Sequence, residues 1–214
     1  MIPSAAIRTS SYGEHGLTLV DRLGVMLSRR AVEQTLGRRT ALDALDLGCG
    51  HDARLLHALR PRLASGLGVD VRVSDAARTC AGIDFIEATA EDALPRLSNA
   101  SFDLVLMISV LEHLWEPGAA LREARRVLRP GGLLLVNVPT WRGKAFLEFS
   151  AFRLGTSPAV EMDDHKTYYD RRDLWPLLVR AGFQPHGITT RYHKLGLNLF
   201  AVARVDAADP RDRP

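Results

Sequence analysis

The stretch Ala41-Leu42-Asp43-Ala44-Leu45-Asp46-Leu47-Gly48-Cys49-Gly50 decides how this chain folds. An apolar run leads straight into a glycine turn, and a helical pattern at residues 52–59 follows at once. Strand, glycine turn and helix in that order make a site for a nucleotide-like cofactor. The glycines let the backbone bend sharply and approach a ligand with no Cβ in the way. The unpaired N–H groups that open the helix face whatever anion docks there. Asp46, two residues before the first glycine, puts a carboxylate at the carboxyl end of the strand. A pyrophosphate would be repelled there and a cationic ligand would be welcome.

Outward from this turn the chain alternates. Apolar runs at 42–47, 67–71, 83–86, 102–108 and 133–138 read as buried strands. Helical patterns at 52–59, 74–80 and 119–128 lie between them. The rhythm predicts an α/β fold with a doubly wound, parallel sheet in a single domain. Ahead of it, Leu19, Leu23, Met26, Leu27, Val32 and Leu36 mark an amphipathic helix over 17–36. Helix 119–128 runs into Arg129-Pro130-Gly131-Gly132, a stop and turn before the next strand. Residues 141–166 interrupt the rhythm with an aromatic stretch (Trp141, Phe146, Phe149, Phe152) and an acidic patch (Glu161, Asp163, Asp164). A helix over 171–181 and two runs, 184–191 and 197–204, close the chain, the runs being spaced to pair as an antiparallel hairpin. The expected organisation is an N-terminal segment and helix (1–36) covering the cofactor site, a domain over 37–205 with its insert at 141–166, and a disordered tail from 206 to 214.

Bulk properties narrow the class. The 214 residues fit one domain with a full core, and a hydrophobic fraction of 46% against 25% charged is that of a globular protein. The net charge is +3 and the isoelectric point about 9.1, from many arginines and only three lysines, Lys144, Lys166 and Lys194. No run of five like charges and no interleaving of aromatic with basic residues suggests a nucleic-acid surface. Cys49 and Cys80 make no disulfide framework, no signal peptide is evident, and no apolar stretch reaches the length of a membrane span. A cytoplasmic location is expected.

Further acids fall at set distances from the turn. Asp70, 20 residues past Gly50, ends Gly66-Leu67-Gly68-Val69-Asp70 and suits the two hydroxyls of a ribose. Thr89-Ala90-Glu91-Asp92 follows the third strand, and Glu91 or Asp92 suits the amino group of an adenine. Taken with Leu45-Asp46-Leu47-Gly48-Cys49-Gly50, Ser101-Phe102-Asp103-Leu104-Val105, Val110-Leu111-Glu112-His113-Leu114, Arg126-Val127-Leu128-Arg129-Pro130-Gly131-Gly132 and Ala181-Gly182-Phe183, the chain resembles a class I S-adenosylmethionine-dependent methyltransferase. It is similar to the broad subgroup that includes the ubiquinone-biosynthesis methyltransferases, over residues 40 to 204.

The resemblance implies a seven-stranded sheet of order 3-2-1-4-5-7-6 with strand 7 antiparallel. It implies S-adenosylmethionine as cofactor. Asp46, Gly48 and Gly50, with the small filler Cys49 between them, would surround its methionine part. Asp70 would hold the ribose, Val71 would pack on the adenine, Glu91 or Asp92 would meet the adenine edge, and Ile108 would lie beside the cofactor. The family often has a third glycine where this chain has Asp52, which could cap the next helix and also brings negative charge close to the cofactor's carboxylate.

Methyl transfer from an activated sulfonium asks for alignment, exclusion of water and in some cases a base. His113 follows the fourth strand, beside the expected methyl position. His165 sits among carboxylates in Asp163-Asp164-His165-Lys166. Both are candidate catalytic residues; His51 faces cofactor or solvent. No zinc-type cluster appears, so no metal is expected. The insert reads as a substrate cover, and Tyr12 and His15 as part of a segment folded over the cofactor. The expected activity is methylation of a small-molecule acceptor. An NAD-dependent oxidoreductase, or a non-catalytic protein on a methyltransferase scaffold, is the alternative.

Overall fold

The computed structural model describes residues 11–14, 16–145 and 166–207. Seven strands form one sheet: β1 (Leu42–Leu47), β2 (Leu63–Asp70), β3 (Ile83–Glu87), β4 (Phe102–Ile108), β5 (Leu128–Pro139), β6 (Ile188–His193) and β7 (Asn198–Arg204). Their order is β3-β2-β1-β4-β5-β7-β6, with β7 antiparallel to both β5 and β6 and the other pairs parallel. This is the expected order. The central strands β1, β4 and β5 are buried almost throughout, which is why they read as continuous apolar runs.

Helices cover both faces. On one side α4 (Pro117–Val127) and α5 (Arg171–Arg180) bury Leu121, Ala124, Leu174 and Leu178 against Val105, Met107 and Val136. On the other, α1 (Leu19–Leu36) and α2 (Arg54–Leu59) bury Val32, Leu36, Leu56 and Leu59 against Leu104, Leu106, Leu135 and Phe200. A short α3 (Ala90–Ala93) opens after β3. Thr18 and Asp21 form a reciprocal capping box at the start of α1. Only the second half of α1 is core; Val20, Leu23 and Met26 are exposed, so the apolar stripe of the sequence is longer than the face the sheet covers.

Several expectations shift. Residues 74–80 form a turn and a 3-10 segment (Ala77–Thr79), not an α-helix: the N–H groups of Ala77, Thr79 and Cys80 bond the carbonyls three residues back, and Ser74 Oγ accepts from Ala77 N. Strand β2 begins at Leu63, ahead of the apolar run, since its early residues pair with β1 while their side chains stay partly exposed. Arg129-Pro130-Gly131-Gly132 is no turn between elements: β5 already starts at Leu128, paired with Phe102, and the segment is a bulge whose Gly131 N–H bonds Val205 O. Residues 185–187 form a 3-10 turn, so β6 begins later than the run at 184. At the amino edge, Arg129 spans Asp43 on β1 (2.7 Å) and Asp103 on β4 (2.8 Å). A hydrogen bond from Ser65 and the Arg129 guanidinium hold Asp43 below the usual carboxylate range.

Candidate active site

The carboxyl ends of β1, β2 and β4 and the loops after them meet at one crevice, the place where such sheets take ligands. Gly48 and Gly50 stand in the left-handed region, with φ of 68° and 76°. The turn is sewn to β2: Gly48 N and Cys49 N donate to Val69 O at 2.7 and 3.1 Å. Gly50 N donates to one oxygen of Asp70 at 2.8 Å, and Val71 N donates to the other at 2.8 Å. A Cβ at Gly48 would strike Val110 Cγ2, so glycine is required there on two counts. Asp70 thus organises the turn.

Asp46 is 2% exposed, and its Oδ2 has no hydrogen-bond partner among the described residues. Desolvation, reinforced by the Asp70 carboxylate, pushes its pKa up to about 8. Buried Asp46 and half-buried Asp70 therefore stand close enough to repel one another, and no salt bridge engages either among the described residues. A positively charged ligand would supply the missing partner, and an anionic one would add a third negative charge. The residues present fit S-adenosylmethionine: Asp46 and Asp70 for its cationic and hydroxyl parts, and the turn for close backbone approach.

Cys49 fills space. Its thiol is buried and desolvation pushes its pKa far up, which removes it as a nucleophile. It lies against Gly68, where an added Cβ would meet Phe85 Cε1 at 2.6 Å and Cys49 Sγ at 3.0 Å. Asp52 does not cap the helix. Ala53 takes the cap position in a left-handed conformation (φ 46°) with no side-chain bond, and α2 starts only at Arg54. The Asp52 carboxylate instead receives Arg54 Nη2 at 2.9 Å and lies 3.4 Å from His51 Nδ1. Arg54 lowers its pKa and offsets its charge. The negative charge expected to weaken cofactor binding is therefore locally paired.

The remaining candidates divide. Val71 and Ile108 are half-buried on the rim, at the ends of β2 and β4. Glu91 and Asp92 lie in the first turn of α3, both exposed. Asp92 is engaged by Thr89, whose hydroxyl donates to its Oδ2 at 2.9 Å and accepts from its N–H; the Glu91 side chain has no such tie among the described residues. His113 closes a 3-10 turn (Leu111–His113) after β4, half-buried. His165 and His15 lie outside the described residues, as does the insert from 146 to 165. Tyr12 is described. Its carbonyl accepts the His51 N–H at 3.0 Å and lies 3.3 Å from the Cβ position of Gly50, so the N-terminal segment rests on the turn. Glu14 anchors it through an ion pair with Arg72. The tail is described to 207, where Asp206 meets His186 at 3.1 Å.

Sequence reasoning missed three polar residues on the β5–β7 side of the sheet, Asn137, His193 and Lys194. Asn137 hides in the apolar run of β5, and a single polar residue there gives no periodic signal. The scarcity of lysine was the one available hint at Lys194.

The sheet order and the crevice define the Rossmann-like methyltransferase class of α/β proteins. Residues 45–136 match the family described as methyltransferase domain. The chain is 30% identical over 185 residues to a probable S-adenosylmethionine-dependent methyltransferase of Mycolicibacterium smegmatis, covering 78% of this chain and 62% of that protein. It is 36% identical over 101 residues to the ubiquinone biosynthesis O-methyltransferase of Caulobacter vibrioides, covering 44% of this chain and 40% of that one. The 1,6-didemethyltoxoflavin-N1-methyltransferase of Burkholderia thailandensis, solved with S-adenosylhomocysteine bound, shares the fold at a TM-score of 0.64 and 18% identity, over 87% of this chain and 80% of that one. The chain thus spans 62% of the length of the first of these relatives. It carries a methyltransferase domain over residues 45–136 and is similar to S-adenosylmethionine-dependent methyltransferases. No helix among the described residues is long and apolar enough to cross a membrane.

Proposed function

We propose that this chain transfers the methyl group of S-adenosylmethionine to a small-molecule acceptor. The observation that carries the reading is Asp46, a buried carboxyl at the end of β1 whose Oδ2 has no partner among the described residues and which feels the charge of Asp70. Bound in the crevice, the cofactor supplies a methyl group already activated by its positive sulfur. The chain's own task is positional. Asp46, Gly48, Cys49 and Gly50 hold the methionine part, Asp70 the ribose and Val71 one face of the adenine. Glu91, untied in the first turn of α3, is better placed than Asp92 to take the adenine amino group, and Ile108 walls the methyl side. Tyr12 and its segment cover the turn and keep water out.

These residues would hold the cofactor so that its methyl carbon is offered to a lone pair of the acceptor, with a neutral thioether as the leaving group. The proton lost by a hydroxyl or amine acceptor passes to a histidine, for which His165 and His113 are the candidates. NAD fits less well, since its pyrophosphate would face two carboxyl groups. Thermal-shift titration separates the readings: S-adenosylhomocysteine is expected to raise the melting temperature and NAD to leave it unchanged. The reverse result would reject the proposal.

A further inference from the structure

The carboxyl edge of the sheet holds a second polar group, away from the glycine turn and beneath α1. In the register, Ile108 on β4, Asn137 on β5 and Phe200 on β7 are direct neighbours, so their side chains share one face. That face is the one α1 covers, because Phe200 packs in the same core as Ala31, Val32 and Leu36. Asn137 is 0% exposed, and neither its Oδ1 nor its Nδ2 has a hydrogen-bond partner among the described residues. The His193 ring stands edge-on to Phe200 at 6.1 Å, and its Nε2 is likewise buried without a partner there. Orphaned buried polar atoms are rare because each costs about 1–3 kcal/mol.

Lys194 comes next. It opens the β6–β7 turn, which Thr140 ties to the end of β5: Thr140 Oγ1 donates to Gly196 O at 2.8 Å and Thr140 N to Leu197 O at 2.9 Å. Lys194 and Leu195 both adopt left-handed backbone, φ 48° and 59°. The turn directs the Lys194 amine inward under α1, where Nζ lies 3.6 Å from the Cβ position of Gly24. No hydrogen bond or ion pair engages that amine among the described residues. Burial pushes its pKa down to about 8, opposed by the Glu112 carboxylate after β4.

We propose that Lys194, with the Asn137 amide and the His193 ring, forms the acceptor subsite, and that the acceptor carries an anionic group, carboxylate or phosphate, which pairs with the Lys194 ammonium. This rests on the methyltransferase reading and adds to it the chemistry of the acceptor. The anion would supply the hydrogen-bond acceptor that the amine lacks among the described residues, the Asn137 Nδ2 would donate to it, and the neighbouring end of β4 would hold the reacting atom beside the methyl group.

With three lysines in the chain, the full-length protein labelled with 13C at lysine Cε should give three resolvable signals. Benzoate and inorganic phosphate are titrated separately, with and without saturating S-adenosylhomocysteine. The signal of Lys194, assigned by its loss in Lys194→Arg, is expected to move and saturate with one of the two anions, while those of Lys144 and Lys166 stay. Which anion saturates it tells carboxylate from phosphate. Calorimetry on Lys194→Met is expected to show at least about tenfold weaker binding of that anion and unchanged affinity for S-adenosylhomocysteine. If all three signals drift together without saturating, an adventitious ion only is present and the proposal is overturned. It is equally overturned if neither anion moves the signal, or if Lys194→Met binds as tightly as the parent. Failure of S-adenosylhomocysteine to bind counts against the methyltransferase reading instead, since the anion titration is also read without it.

Discussion

Replacing Asp46 with asparagine isolates the energetic cost of keeping a carboxyl in the crevice. Folding raises the pKa of Asp46 from 3.8 to about 8. The folded state thus holds its proton while the unfolded state gives it up, and stability falls as pH rises from about 4 through about 8. Each pH unit in that window is worth about 1.4 kcal/mol. By pH 7 the loss reaches about 4 kcal/mol, and between pH 5 and pH 7 it amounts to about 3 kcal/mol. The side chain is almost fully buried, so solvent screening removes little of this. Asp46→Asn introduces an amide whose own burial cost does not depend on pH. Urea unfolding of both proteins at pH 5, 6 and 7 without cofactor should therefore show the stability difference moving in favour of the variant by about 3 kcal/mol across the range. Saturating S-adenosylmethionine should flatten the slope in the parent protein, since a cation beside Asp46 stabilises its ionised form, and should help Asp46→Asn much less. Parallel pH curves for the two proteins would refute the reasoning.

Asp70→Ala should weaken S-adenosylhomocysteine binding and, because Asp70 also accepts the Gly50 and Val71 N–H groups, lower stability by about 1–3 kcal/mol; calorimetry and denaturation read the two separately, and unchanged affinity would remove Asp70 from the site. Gly68→Ala places a Cβ against the Phe85 ring and the Cys49 sulfur and should cost about 1–3 kcal/mol, measured as a lower urea midpoint. Asp52→Gly restores the glycine common in the family, yet should alter cofactor affinity less than about threefold, since Arg54 already offsets the charge. For His165→Ala, turnover is expected to fall with cofactor affinity intact; equal turnover would exclude His165 as the base.

Much of the architecture could be read in advance because its signals are local. Apolar runs long enough to fill a buried strand marked β1 and β4, and the turn after β1 announced itself by two glycines, the residue that left-handed backbone favours. The failures share a cause. Residues 74–80 have helical composition, but Ser74 N is tied to His51 O in a distant loop and the segment closes only as a 3-10 turn at Ala77–Thr79. The Arg129–Gly132 segment has the composition of a turn, yet pairing with Phe102 and Val205 draws it into the sheet. Asp52 looks like a cap until Arg54 reaches its carboxylate.

The amino-acid order by itself established the alternation of strands and helices, the glycine turn, and an acid at the end of β1 and of β2, since each depends on neighbours in the chain. Only the tertiary structure decided that Asp46 is sealed from water and lifted toward neutrality, that Asp70 braces the turn, and that Asn137 and His193 bury polar atoms with no partner among the described residues. Burial and electrostatic coupling are properties of surroundings drawn from distant segments, and no local pattern carries them.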